Sequence, residues 1–301
     1  MKTWIMLAGL FVVLVVFASD GWTVLAQEQD TDVRGAFLTT RPKSSEKSGT
    51  GATSSRPNRR RPKPTTKPPD KVDKPSAPDE KTGDHGTAKV RTPKIGLGLT
   101  LFARDSNGLA VRVDPSRVFQ TGDRVRALLE TNVDGYLYIF NTTDGGNPVM
   151  IYPNPELDEG GNYLQSHVPF EIPASVADQE RLRWLTFDKN PGAERLFFVF
   201  TREPLPSIPT EDELISFCRN NEKNCPLQPA PDLWAKIQTE MKGPVQIAKS
   251  DSYGKSQTDG ERAASTRGLG LSKEDPEPSM VMMAASTNTN MLVAMLELVH
   301  K

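Results

Sequence analysis

The feature that most limits what this chain can fold into is a series of short apolar runs between Ile95 and Arg202, parted by Gly, Asp, Asn and Pro. They read GLTLFAR (Gly98 to Arg104), LAVRV (Leu109 to Val113), RVRALLE (Arg124 to Glu130), YLYIFN (Tyr136 to Asn141), VMIY (Val149 to Tyr152), HVPFEIP (His167 to Pro173), RLRWLTF (Arg181 to Phe187) and ERLFFVFTR (Glu194 to Arg202). Short strands at a spacing of roughly ten residues favour an antiparallel sandwich or barrel over βαβ units. The fold class expected is mainly β: an Ig-like or jelly-roll-like antiparallel β-sandwich.

YLYIFN carries the strongest pattern. Side chains alternate across a strand, so Tyr136, Tyr138 and Phe140 share one face and Leu137 and Ile139 the other. Both faces are apolar, which places the strand in the centre of the fold. The loop that follows, NTTDGGN (Asn141 to Asn147), holds the Gly and Asx residues a hairpin needs for positive φ. A calcium site at Asp144, Asp158 and Glu159 is the functional alternative, but the spacing lacks the DxDxDG order of a preformed oxygen cage. No metal or cofactor is expected.

After Arg202 the period changes. PTEDELISFCRNN (Pro209 to Asn221) offers Thr210 with Glu213 three residues on, a capping box, and Leu214, Phe217 and Cys218 on one helical face. PDLWAKIQTEMKG (Pro231 to Gly243) aligns Trp234, Ile237 and Met241, with Pro near the start and Gly at the stop. Two short amphipathic helices packed on the sheet are expected. Pro244 to Ser279 is polar and Gly-rich and reads as mobile, while Met280 to Lys301 returns to β-like content as a closing hairpin.

The N-terminal part is of another kind. A lysine, an apolar run from Trp4 to Ala18 and Val24-Leu25-Ala26 read as a secretory signal peptide, with an uncleaved membrane anchor as the alternative. From Thr39 to Lys94 the chain has almost no large apolar residue, and 15 Lys plus Arg stand against 6 Asp plus Glu. Such a segment buries too little to offset the entropy of ordering, so a disordered tether is expected. The organisation read is thus a signal peptide over residues 1–26, a disordered basic Pro-rich linker over 27–94, and a sandwich domain over 95–301. Within that domain, 95–206 form the core, 207–279 the helical insertion and mobile loop, and 280–301 the closing strands. Arg59, Arg60, Arg61 and Lys63 are the densest part of the tether. Two readings stand for them: a solvated spacer, or contact with an anionic envelope polymer. Nucleic acid is not expected, because the segment lacks aromatics for base stacking.

Candidate sites are few. Tyr152, Tyr163, Phe170 and Trp184 at strand ends could form an exposed platform for a sugar or peptide, or else belong to the core. The loop Tyr152 to Tyr163 is where a site is expected first. Of three histidines only His167 is placed to act as a base, and no GxSxG, HExxH or Gly-rich phosphate loop occurs. A carboxylate pair for glycoside chemistry depends on a separation that sequence does not display. Cys218 and Cys225 are the only cysteines; in an oxidising compartment a pair this close reads as a local disulfide at the end of the first helix.

A strand and turn before GYLYIFN, the glycine-bearing loop, VMIYPNP, GGNYL (Gly160 to Leu164), FEIP and ERLFFVFTREPL (Glu194 to Leu205) together resemble the bacterial DUF4384 family, a domain of unknown function. The resemblance covers about Ile95 to Pro206. It implies a β-sandwich accessory domain of exported or envelope-associated proteins, often beside peptidase-like modules, and it carries no catalytic residues. The expectation is therefore a non-catalytic exported protein, periplasmic or extracellular, that binds an envelope protein or glycan. An envelope-polymer hydrolase and a purely structural component are the alternatives, and membrane contact is expected only if the signal segment is retained.

Overall fold

A computed structural model of the chain describes residues 32–43, 59–60, 92–156, 160–177, 179–222 and 225–301. The signal-peptide reading lies outside them. Among the described residues no helix is long and apolar enough to cross a membrane.

Two antiparallel sheets stack face to face. The first runs β10 (Val245–Lys249), β11 (Met280–Ala284), β1 (Gly96–Arg104), β3 (Arg124–Thr131), β7 (Phe170–Ile172), with β2 (Ala110–Arg112) also on β1 and β8 (Leu185–Thr186) also on β3. The second runs β12 (Met291–His300), β9 (Gly192–Thr201), β4 (Gly135–Thr143), β5 (Val149–Tyr152), with β6 (Tyr163–Leu164) on β4. Period-two alternation drives the stacking. Leu97, Leu99 and Leu101 of β1 and Val125, Ala127 and Leu129 of β3 meet Leu137, Ile139, Leu196, Phe198 and Phe200 of the second sheet in one buried core.

The other face of β4 is buried too, as its sequence demands. Tyr138 and Phe140 join Phe197, Val199 and Val293 beneath α2 (Glu211–Asn220) and α3 (Pro231–Met241), which contribute Leu214, Leu233 and Ile237. Both expected helices therefore pack on the sheet. Thr210 is the N-cap of α2, but its side chain makes no capping bond; its carbonyl instead receives the Glu213 and Leu214 amides. The Cys218–Cys225 disulfide closes the end of α2 onto the following turn, with the Cα atoms 5.2 Å apart.

The loop after β4 is a tight turn. Asp144 and Gly145 both have positive φ, 50° and 74°, and the Gly146 amide donates to Thr143 O at 2.9 Å. That is the hairpin conformation the Asp-Gly pair favours. The Asp144 carboxylate accepts the Ala193 amide at 2.8 Å, fastening the turn to β9.

The outer face of the first sheet carries buried charge. Glu130 pairs with Arg41, Arg112 with Glu261, and Arg126 with Glu171 at 4.0 Å. Over this face lie α1 (residues 32–38) and the chain near Pro278. The glycines of β1 allow the close approach: a Cβ on Gly98 would stand 2.5 Å from Pro278 Cγ and 3.2 Å from Phe37 Cζ.

Four expectations are corrected. Residues 32–43 and 59–60, placed in the linker, lie on the domain, because Val33 and Phe37 pack on Ala248, Val281 and Met283, Arg41 and Arg60 find carboxylates, and Arg59 stacks over Phe170. RLRWLTF begins within the 3-10 helix Glu180–Arg183 and supplies only the two-residue β8; its Leu182 and Leu185 are exposed, and only Phe187 reaches the core. Residues 244–279 contain β10 and α4 (Asp259–Arg267), the latter with a full capping box between Thr258 and Glu261. Last, β11 and β12 form no hairpin: β11 pairs with β1 and β10, β12 with β9, and the intervening residues cross between sheets.

Candidate binding cleft between the sheets

The inward-facing rows turn polar at one end of the sandwich. Along β4, Leu137 and Ile139 are followed in phase by Asn141; along β9, Phe200, Phe198 and Leu196 by Glu194; along β12, Leu296 and Leu298 by His300. Register brings these endings together, since Asn141 pairs with Leu196 and Glu194 with Leu298. The sheets do not close on each other there. A cleft of about 400 Å3 opens, walled by Asn141, Ile151, Glu194, Leu196, Leu298 and His300 from the second sheet and by Val125, Ile172, Leu185 and Thr186 from the first. Pro173, Phe187, Asp188 and Asn154 complete it.

Strand neighbours hold the carboxylate of this set. The half-buried Glu194 carboxylate accepts from Asn141 Nδ2 at 2.8 Å and from Thr143 Oγ1 at 2.9 Å. Among the described residues no cation pairs with it. A carboxylate only accepts, so its bond fixes the Asn141 amide with Nδ2 toward Glu194, and among the described residues Asn141 Oδ1 has no hydrogen-bond partner. His300 is 4% exposed, its ring lies 5.0 Å from that of Phe187, and among the described residues its Nδ1 has no partner. The end of β12 is clamped by the Phe119 amide on Val299 O and the Lys301 amide on Phe119 O, at 2.8 and 3.0 Å. At the mouth, the backbone amide and then the side-chain amide of Asn190 hold the exposed Asp188 carboxyl below the usual carboxylate range.

Among the described residues this lining contains no serine, cysteine, lysine or arginine. Its volume lies within the range of roughly 300–1,000 Å3 common for ligand sites, and its walls are mainly aliphatic. The arrangement can seat an apolar group and hydrogen-bond it at one end.

The sequence candidates go elsewhere. Tyr152 and Phe170 are core residues with rings 4.6 Å apart, and Tyr152 Oη donates to Gly161 O at 3.0 Å. Tyr163 packs edge-on against Tyr136 and donates to Asp134 at 2.8 Å. Trp184 sits on the outer face of the first sheet under the Arg126 guanidinium, 4.3 Å from its ring centre. The four therefore share no platform. Arg59 stacks over the Phe170 ring and its carbonyl receives the Tyr163 amide at 2.9 Å, so part of the basic segment docks beside three of the four aromatics. Arg60 pairs with Asp212 at 3.1 Å. Arg61 and Lys63 lie outside the described residues, as do Asp158 and Glu159 of the calcium alternative. Among the described residues no acidic, histidine or cysteine cluster suited to a metal occurs. From the loop where a site was expected first, Asn154 does line the cleft.

His167 is buried with φ of 58°, its Nδ1 2.6 Å from Glu130 Oε1 and its Nε2 2.7 Å from Thr40 Oγ1. The order hydroxyl, imidazole, carboxylate resembles a hydrolytic triad, but the cavity beside Glu130 measures only about 10 Å3, room for a single water. These groups act as a clip that holds residues 37–41 on the sheet. Asn141, Glu194 and His300 escaped sequence reading, although one signal was present: polar residues in the inward phase of otherwise apolar strands.

The family model described as a domain of unknown function, DUF4384, matches residues 118–204. The resemblance read from the residues holds for that span, which runs from before β3 to just after β9. It includes Asn141 and Glu194 but not His300, and it leaves out β1, β2, β10, β11 and β12, which complete both sheets. Searches of the curated proteins and of the solved structures give no match.

Proposed function

We propose that the chain is an exported, non-catalytic recognition module of the bacterial envelope that holds a partner protein by seating one of its apolar groups between the sheets. The cleft carries this reading. An aliphatic wall of this extent offers a sugar ring few hydrogen-bond partners, which favours a protein over a glycan. The Cys218–Cys225 bond supports an oxidising compartment and hence export. Contact with an anionic polymer would rest on the basic residues beyond Arg59 and Arg60, since those two are engaged by the domain.

The test uses the neutral dye N-phenyl-1-naphthylamine, which brightens in apolar surroundings. The full chain should bind it saturably, and Thr186→Trp, which places an indole at the exposed mouth of the cleft, should abolish binding without lowering the unfolding temperature. Dye binding unaffected by Thr186→Trp would overturn the reading.

A further inference from the structure

The half-buried charged group of this cleft is the Glu194 carboxylate, which can only accept. Asn141 gives one of its two amide N–H groups to Glu194, and its Oδ1 is buried without a partner among the described residues. His300, 96% buried by its 4% exposure and facing between the sheets in phase with Leu296 and Leu298, has an unpartnered Nδ1. Glu194 receives two neutral donors on an anion with about four acceptor sites. Asp188 adds a second negative charge at the mouth, and among the described residues no lysine or arginine lines the cleft. Buried or half-buried carboxylates ordinarily find a cation, because desolvating an unpaired charge is costly.

Resting on the reading of the cleft as a recognition site, we infer that its occupant is a cation on an apolar stem: a lysine or arginine side chain of a basic peptide segment. The aliphatic stem lies against Ile151, Ile172 and Leu298, and the ammonium or guanidinium donates to the half-buried Glu194 carboxylate. Long basic side chains divide in this way between an apolar stem and a charged head. A carboxylate ligand would meet two like charges, and an uncharged alcohol would forgo the charge-assisted bonds.

Three probes of one stem length separate the cases on the full chain, by calorimetry or by displacement of N-phenyl-1-naphthylamine: n-hexylammonium, n-hexanol and hexanoate. Hexylammonium should bind about tenfold more tightly than hexanol or better, the scale of one charge-assisted hydrogen bond. Hexanoate should be weakest. Glu194→Gln keeps size and hydrogen bonding, and should bring hexylammonium down to the level of hexanol with the unfolding temperature unchanged. Equal binding of hexylammonium and hexanol, failure of hexylammonium to displace bound dye, or an ammonium preference that survives Glu194→Gln would overturn the charge assignment while leaving the cleft intact. If neither the dye nor any of the three probes binds, the cleft reading falls and the inference falls with it.

Discussion

The guanidinium of Arg41 meets the carboxylate of Glu130 side on, Nε to Oε1 at 2.8 Å and Nη2 to Oε2 at 2.6 Å, although 89 residues separate them in the chain. Both side chains are buried, and Glu130 also receives His167. Removing one partner of such a pair strands a charge. Arg41→Met should therefore cost about 3–5 kcal/mol in urea unfolding. Arg117→Met, which breaks an exposed pair with Asp123 at 3.0 Å, should cost under about 1 kcal/mol. Equal losses would show that Arg41 is not part of the folded core.

The disulfide closes a loop with a sequence separation of 7. Constraining so short a loop in the unfolded chain stabilises by about 2–3 kcal/mol on the chain-entropy account. The double replacement Cys218→Ser and Cys225→Ser should lower unfolding free energy by that amount and leave hexylammonium binding as it was, because α2 lies on the far side of the second sheet from the cleft. A change in probe affinity would join the two regions and contradict the layered arrangement.

Tyr163 gives an alkaline signature. Desolvation first, then its hydrogen bond to Asp134 and the charge of that residue, push its phenol up from 10.0 to about 12. The folded state therefore keeps this proton where the unfolded chain has lost it. The contribution is fully present below pH 10.0, declines as pH rises from there to about 12, and is gone above it. Tyr163→Phe should flatten that part of the stability–pH curve. Asp134→Asn should narrow the window without closing it, since desolvation remains; an unchanged curve in both variants would refute the assignment.

Local pattern made much of this fold legible. Strand β4 announced its two apolar faces, and the structure supplies a different core for each, the opposite sheet for Leu137 and Ile139 and the helices for Tyr138 and Phe140. The Asp144-Gly145 turn and both helices after β9 were equally local. Partners far away in sequence decided what was misread. VQIAK becomes a strand because β11 offers it a ladder, and β11 and β12 part company because each finds its pairing in a different sheet. Arg41 and Arg59 looked like tether charges until Glu130 and Phe170 came beside them. The cleft was hidden for a related reason: Asn141, Glu194 and His300 are far apart in the chain and converge only through strand register.

The most direct measurement is a methyl NMR titration of the full chain with n-hexylammonium. Ile151, Ile172 and Leu298 line the cleft, whereas Leu214 and Ile237 sit in the second core beneath the helices. Saturable shifts in the first group, with Leu214 and Ile237 unmoved, are the predicted result. Shifts absent from the cleft methyls, or spread equally over both groups, would contradict the central claim that the space between the sheets is a binding site.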